Sequence, residues 1–356
     1  MSKLLSILTT ACLLAACSDG PQTQATPDLV VMTQNLYLGA ALEPILAARA
    51  DSVPIQAAMA WGTLAATNFP ERAGALAHQI AAHSPHVVGL QEVALFRVQI
   101  PGDLVVGGTT PATSVAYDFL SLLLDSLRVH GATYTLAAAD TTIDLEIPAV
   151  TGVDATGTPT FMDIRYTDRD VVLVAAGVTA SAAASARYAA GIPINVAGMA
   201  LTISRGWSAV TATVHGRSVR FYTTHLEDLS RPVQEVQATE MLAAIAAETL
   251  PVVVTGDLNS DAEVATTATY AMVTGAGFRD VWEVLRPSET GFTCCQAPTL
   301  DDAAPAFDQR LDLVLVPAGI TPVSVDRVNA DGALRTAAGL WPSDHAGVVA
   351  SLRVPR

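Results

Sequence analysis

Short apolar runs that stop abruptly in a polar residue recur along the chain, separated by longer stretches whose apolar positions repeat at helical spacing. LVVMTQN (29–35), HVVGLQE (86–92), VRFYTTH (219–225), PVVVTGD (251–257) and AGVVASL (346–352) are too short and too rich in β-branched residues for helices, so they read as buried strands. Thr133–Ala139, Val171–Val174 and Arg310–Val316 read the same way. Ala209–Val214 and Val219–Thr224 form a hairpin about His215-Gly216-Arg217. Pro70-Glu71 opens a helix with Ala73, Leu76, Ala77 and Ile80 on one face, and Ser84-Pro85 ends it. Ser114–Val129 predicts a second amphipathic helix and Arg231–Thr249 a third, while Ala41–Phe69 is an Ala-rich helical excursion. Asp140–Phe161, with Pro148, Gly152, Gly157 and Pro159, reads as a long irregular loop. Ala175–Ser204 is rich in small residues and carries no usable period.

The polar stops have complementary chemistry. Asn35, Glu92, His225 and the pair Asp257 and Asn259 follow apolar runs, whereas Ser343-Asp344-His345 precedes one. A common site therefore requires a mixed sheet with strands in both directions. Asp257 and Asn259 lie two apart, which in extended chain aims both to one side, although Gly-Asp-x-Asn alone is also an Asx turn. Glu92 follows an apolar run in which a charge is costly unless coordinated or paired, and magnesium-type cations prefer carboxylate oxygens. Asp312 sits inside an apolar strand, and His345 is its natural partner. His78, His83 and His86 cluster on or beside a helix without a carboxylate and read as solvated surface residues.

The order N, QE, THL, GDxN, SDH resembles the endonuclease/exonuclease/phosphatase superfamily of metal-dependent phosphoesterases, over roughly 29–352. RYTDRD (165–170) is similar to the tyrosine-x-acid-arginine segment of the deoxyribonuclease I branch. His225 in Thr-His-Leu separates the chain from the abasic-site repair enzymes. The resemblance implies an α/β fold, a four-layer α/β/β/α sandwich of two mixed sheets. It implies metal ligation by Asn35, Glu92 and Asp344, with Mg2+ as cofactor and Ca2+ or Mn2+ as substitutes. It places Tyr166 and Arg205 on the phosphate, Asp168 on His225, and Asp312 on His345. Asp257, with one of the two histidines, activates water, and Asn259 helps grip the phosphate; which group is the base stays open. The substrate expected is a nucleic-acid phosphodiester. A lipid or inositol phosphate of the same fold family and a non-catalytic binding lipoprotein are the alternatives.

Composition and charge narrow this. The chain has 356 residues, half of them hydrophobic, and a formal charge of −15. Removing the first 16 residues takes away only Lys3 and leaves −16, a surface that repels polyanions. Nucleic acid would then bind weakly, through a few phosphates and bridging cations. Lys3, the apolar stretch Leu4–Leu14 and Leu14-Ala15-Ala16-Cys17 resemble a bacterial lipoprotein signal, with Cys17 the lipidated first residue; ordinary signal cleavage with Cys17 incidental is the alternative. The expected organisation is a signal at 1–16, a tether at 17–28 and the phosphoesterase domain at 29–356. That product is an envelope monomer, on the outer membrane by its Ser18, touching the membrane only through its lipid. Cys294 and Cys295 read as two plain thiols, since a bond between neighbours is geometrically demanding.

Overall fold

Strands whose two faces are both apolar must be covered on both sides, and the chain meets that need with two sheets stacked face to face and helices on each outer surface. The computed structural model describes residues 28–196 and 198–355; Cys17, the expected export signal and the expected tether up to 27 lie outside the described residues. The first half runs β1 (Leu29–Asn35), α1 (Glu43–Leu46), α2 (Val53–Ala66), α3 (Phe69–His83), β2 (Val87–Gln91), β3 (Leu95–Gln99), β4 (Ser114–Asp118), α4 (Phe119–Val129) and β5 (Tyr134–Ala139). Four strands follow: β6 (Ile143–Val153), β7 (Pro159–Asp168), β8 (Val171–Ala175) and β9 (Thr179–Val196). Then come β10 (Met199–Val214), β11 (Arg217–His225), α5 (Arg231–Ala246), β12 (Val252–Asp257), α6 (Thr269–Gly275) and β13 (Phe278–Asp280). The chain closes with α7 (Val281–Leu285), β14 (Asp312–Pro317), β15 (Thr321–Val328) and β16 (Gly347–Arg353).

One sheet has the order β15-β16-β1-β2-β8-β5 and the other β13-β14-β12-β11-β10-β9. Between them lies an aliphatic layer including Val31, Val87, Val172, Val210, Phe221, Val253 and Val314. α3 and α4 cover the first sheet through Leu76, Ile80, Phe119 and Leu123, and α5 covers the second through Ala238, Met241 and Ile245. The expected four-layer α/β/β/α sandwich is thus present. Both sheets are mixed: β1 pairs parallel with β2 and antiparallel with β16, while β12 pairs parallel with β11 and antiparallel with β14. The ends of β1, β2, β11 and β12 and the starts of β14 and β16 therefore meet at one rim.

Three stretches differ from the sequence reading. Ser114–Asp118 is a strand rather than the first turn of a helix, because it pairs with β3. Asp140–Phe161 is mostly the ordered hairpin β6–β7, in a small sheet of order β4-β3-β7-β6. Its Pro148 sits opposite Asp163 within the ladder, and Gly152 lies at a register shift, so both apparent breakers are absorbed. The unpatterned 175–204 stretch becomes the β9–β10 hairpin, paired over most of its length. His86 is also no free surface residue: its Nδ1 accepts the Val30 N–H at 2.9 Å.

Candidate active site

The backbone aims the side chains at the rim. Asp257 is in register with His225 on one neighbour and with Asp312 on the other. Gly256 has φ +142°, and a Cβ there would collide with the Thr224 carbonyl, so the tight approach of β11 to β12 requires glycine. Three non-glycine residues at the strand ends, Tyr37, Glu92 and Asn259, have left-handed φ of 57°, 54° and 48°. Each costs roughly 1 kcal/mol and turns the chain sharply at the point where a polar side chain must face the cleft. The cleft they border measures about 310 Å³.

The expected residues converge here. Asn35 Nδ2 donates to Glu92 Oε1 at 3.0 Å and to Asp257 Oδ2 at 3.2 Å, and Glu92 Oε2 accepts the Leu38 N–H at 2.7 Å. His345 Nδ1 meets Asp312 Oδ2 at 2.7 Å, and its Nε2 lies 3.7 Å from Asp257 Oδ2. His225 Nε2 stands at the same 3.7 Å from that oxygen. Asn259 Nδ2 donates to the Leu226 carbonyl at 2.9 Å, and its N–H donates to Asp257 Oδ1. Asp344 lines the cleft beside Glu92, Tyr166 and Arg205.

One expected contact is not formed. Asp168 does not bond His225: its Oδ2 accepts from Thr142 Oγ1, just before β6, at 2.9 Å, and its Oδ1 accepts the Arg169 N–H at 3.0 Å. Arg205 takes the place instead, its Nη1 lying 3.2 Å from His225 Nδ1. A guanidinium only donates, so Nδ1 is the acceptor and the neutral ring carries its proton on Nε2, facing Asp257. Arg205 is held in turn by Asp228 at 2.9 Å and Glu227 at 3.7 Å. The cysteines also differ from the expectation of two thiols: Cys294 and Cys295 are joined as a disulfide, with Cys295 Sγ 3.8 Å from His345 Nε2.

Electrostatics follow from burial and crowding. Burial, then Asp344 and Asp168, push the Glu92 carboxyl up to about 8. Burial likewise raises Asp344, and holds Asp257 at about 6. Burial, Arg205 and His345 drive His225 well below its ordinary value. Burial opposes the charged form of His345, but Asp312, Asp257 and Asp344 outweigh it and raise the ring well above the usual imidazole value. Glu43, Glu92, Asp168, Asp228, Asp257 and Asp344 line the cleft against a single guanidinium, that of Arg205. The carboxyls of Glu92, Asp257 and Asp344, raised first by burial, fit a hard divalent cation that would supply the missing counter-charge, and Glu92, Asp344 and the Asn35 amide are of the right donor chemistry. Asp257, Asp312 and His345 also offer ligand atoms within 4.8 Å of one another.

Sequence reasoning missed several supporting residues. Arg72 is fully buried and donates to the carbonyls of Leu36, Tyr37, Thr67 and Pro342, tying the loop after β1 to the one before Ser343. Its position inside an amphipathic helix gave no sign of this. Glu227 is also buried, and the Thr-His-Leu-Glu run containing it was the available signal. Tyr37, whose hydroxyl donates to the Pro298 carbonyl, lines the cleft two residues after Asn35.

The sequence from 32 to 345 matches the Endonuclease/Exonuclease/phosphatase family. Among solved structures, D. rerio TDP2 complexed with single strand DNA product superposes with a TM-score of 0.53 at 17% identity, covering 92% of this chain and 99% of that one. An endonuclease/exonuclease/phosphatase family protein from Leptotrichia buccalis gives 0.52 at 16%, covering 91% and 99%. One from Bacteroides thetaiotaomicron gives 0.52 at 14%, covering 91% and 94%. No curated protein matches the sequence. At these identities the likeness establishes the fold.

Proposed function

The chain belongs to the Endonuclease/Exonuclease/phosphatase family, and from that premise we propose that it is a divalent-metal-dependent phosphodiesterase of the cell envelope. The observation that carries this reading is the acid-lined cleft with the Asp312–His345 pair at its floor. Glu92, Asp344 and Asn35 would hold Mg2+, which when bound supplies neutralisation of charge on the phosphate oxygens. Arg205 and Asn259 orient the phosphate, with the Tyr166 hydroxyl at the cleft wall. Asp257, close to neutrality in its titration, takes the proton from the attacking water as the new P–O bond forms. His345, kept protonated by Asp312 and its acidic neighbours, donates to the departing oxygen as the old P–O bond breaks. His225, neutral, fixes Arg205 and faces Asp257.

The sequence-based substrate reading is a nucleic-acid diester, and D. rerio TDP2 is a relative in fold whose complex contains single-strand DNA. With one guanidinium in the cleft, affinity for an oligonucleotide should fall only shallowly with salt, at a log-log slope of roughly −1 to −3. A second reading, a diester carrying an apolar group, is favoured by a cavity that opens beside the cleft. The first test is hydrolysis of bis(p-nitrophenyl) phosphate, expected with Mg2+ and abolished by a chelator; no turnover under any divalent cation would leave a binding lipoprotein. Lipidation at Cys17 is proposed from Leu14-Ala15-Ala16-Cys17. Cys17→Ser should move the protein from the membrane pellet to the soluble exported fraction, and retention in the pellet would refute the anchor.

A further inference from the structure

The three stretches that no catalytic motif explains meet at one place. α1–α2, the β6–β7 hairpin and the β9–β10 hairpin enclose a cavity of about 80 Å³ whose walls include Ile45, Ala57 and Trp61, then Leu145 and Ile164, then Ile194. The lining side chains are apolar apart from the Tyr166 hydroxyl and the Trp61 indole N–H. The cavity is not separate from the reaction centre, because Leu42, Tyr166 and Ile203 line both it and the catalytic cleft. The Tyr166 ring, stacked on Phe96 at 5.1 Å, forms the party wall.

We propose that this chamber receives a hydrocarbon chain esterified to the scissile phosphate, so that the substrate is a phosphodiester of an apolar alcohol. The inference rests on the phosphodiesterase reading and names its substrate class. An interior that serves packing alone is filled to crystal-like density. Here three insertions converge and leave space that adjoins the reactive site across a shared wall. A nucleobase placed there would lose water from its hydrogen-bonding edges and find too few partners to replace it, whereas an alkyl chain loses nothing. The acidic cleft agrees, since one diester charge suffices for a bound cation and a polyanion would add only repulsion. The volume fits a short stretch of chain and leaves the remainder at the cleft mouth, toward Leu38 and Leu46.

The test uses the Mg2+-supplemented protein and p-nitrophenyl phosphate esters of methyl, butyl, hexyl and octyl alcohols. Transfer from water to a dry apolar site gains about fourfold in kcat/KM per methylene until the chamber is full. Ala60→Leu, which fills the chamber from α2, should flatten that rise while leaving the methyl ester unchanged. Ile45→Ala, which removes bulk and does not border the cleft, should carry the rise to longer chains, and this opposite sign keeps the test valid if the larger residue prevents folding. Equal kcat/KM for methyl and hexyl esters, or faster turnover of the thymidine 5′-p-nitrophenyl ester than of the hexyl ester, would overturn the proposal and leave the phosphodiesterase standing. Failure to hydrolyse any ester would overturn both.

Discussion

The two halves of the cleft each present an imidazole at 3.7 Å from the same Asp257 oxygen, yet their surroundings drive the rings apart. On the β14–β16 side, three carboxylates overcome the burial of His345 and keep it cationic. On the β10–β11 side, burial and the Arg205 guanidinium keep His225 neutral. Identical residues at identical distance thus titrate in opposite directions because of their neighbours alone.

The strongest way to break this contrast is to remove its acidic half. Asp312→Asn and His345→Ala should each lower kcat by roughly 10²- to 10⁴-fold, and the double variant should cost little more than either. Steady-state kinetics on all three variants checks this, and fully additive losses would show that the residues act separately. The other half is probed by Arg205→Gln. Loss of the adjacent cation should raise the His225 titration, which NMR of the imidazole ring reads directly. Loss of its phosphate contact should raise KM about tenfold.

Stability should report the same charge crowding. Glu92, at about 8, and Asp257, at about 6, both lie above ordinary carboxylate values. A raised carboxyl favours the fold below its unfolded value and loses that contribution as pH rises through its folded value. Chelated protein should therefore melt at falling temperature from pH 6.5 to 8, and added Mg2+ should largely cancel the slope. A flat profile with chelator would mean that the carboxylates are not repelling one another. The smallest effect belongs to His86, whose burial and the neighbouring His215 lower its titration while its Nδ1 accepts from Val30. Its contribution is complete above pH 6.5 and declines as pH falls below that. Between pH 7.5 and 5.5 the wild type should lose about one or two degrees more than His86→Gln in a melting scan.

Part of the candidate rim was legible because its residues stand where an apolar run ends or begins, whereas Tyr166 and Arg205 were indicated only by the family resemblance. Asn35, Glu92, His225, Asp257 and His345 carry polar groups where burial is otherwise complete, and only chemistry or pairing repays that. The β6–β7 and β9–β10 hairpins were not legible, since their Pro, Gly and Ala positions carry breaker or neutral propensity and gain strand geometry only from long-range pairing. Arg72 was hidden for a related reason: its four carbonyl partners come from segments far apart in sequence.

By itself the sequence determined the strand-like runs and the polar residues at their ends, because apolar period and buried charge are local signals, and the order of those motifs carried the family resemblance that implied the sandwich and the pairing of Asp312 with His345. Only the tertiary structure decided that Arg205, not Asp168, meets His225, that the two histidines titrate in opposite directions, and that three stretches outside the motifs close around one apolar chamber. Those outcomes depend on which groups lie within a few ångströms across the fold, and contact distance and desolvation are properties of packing that no single stretch of chain encodes.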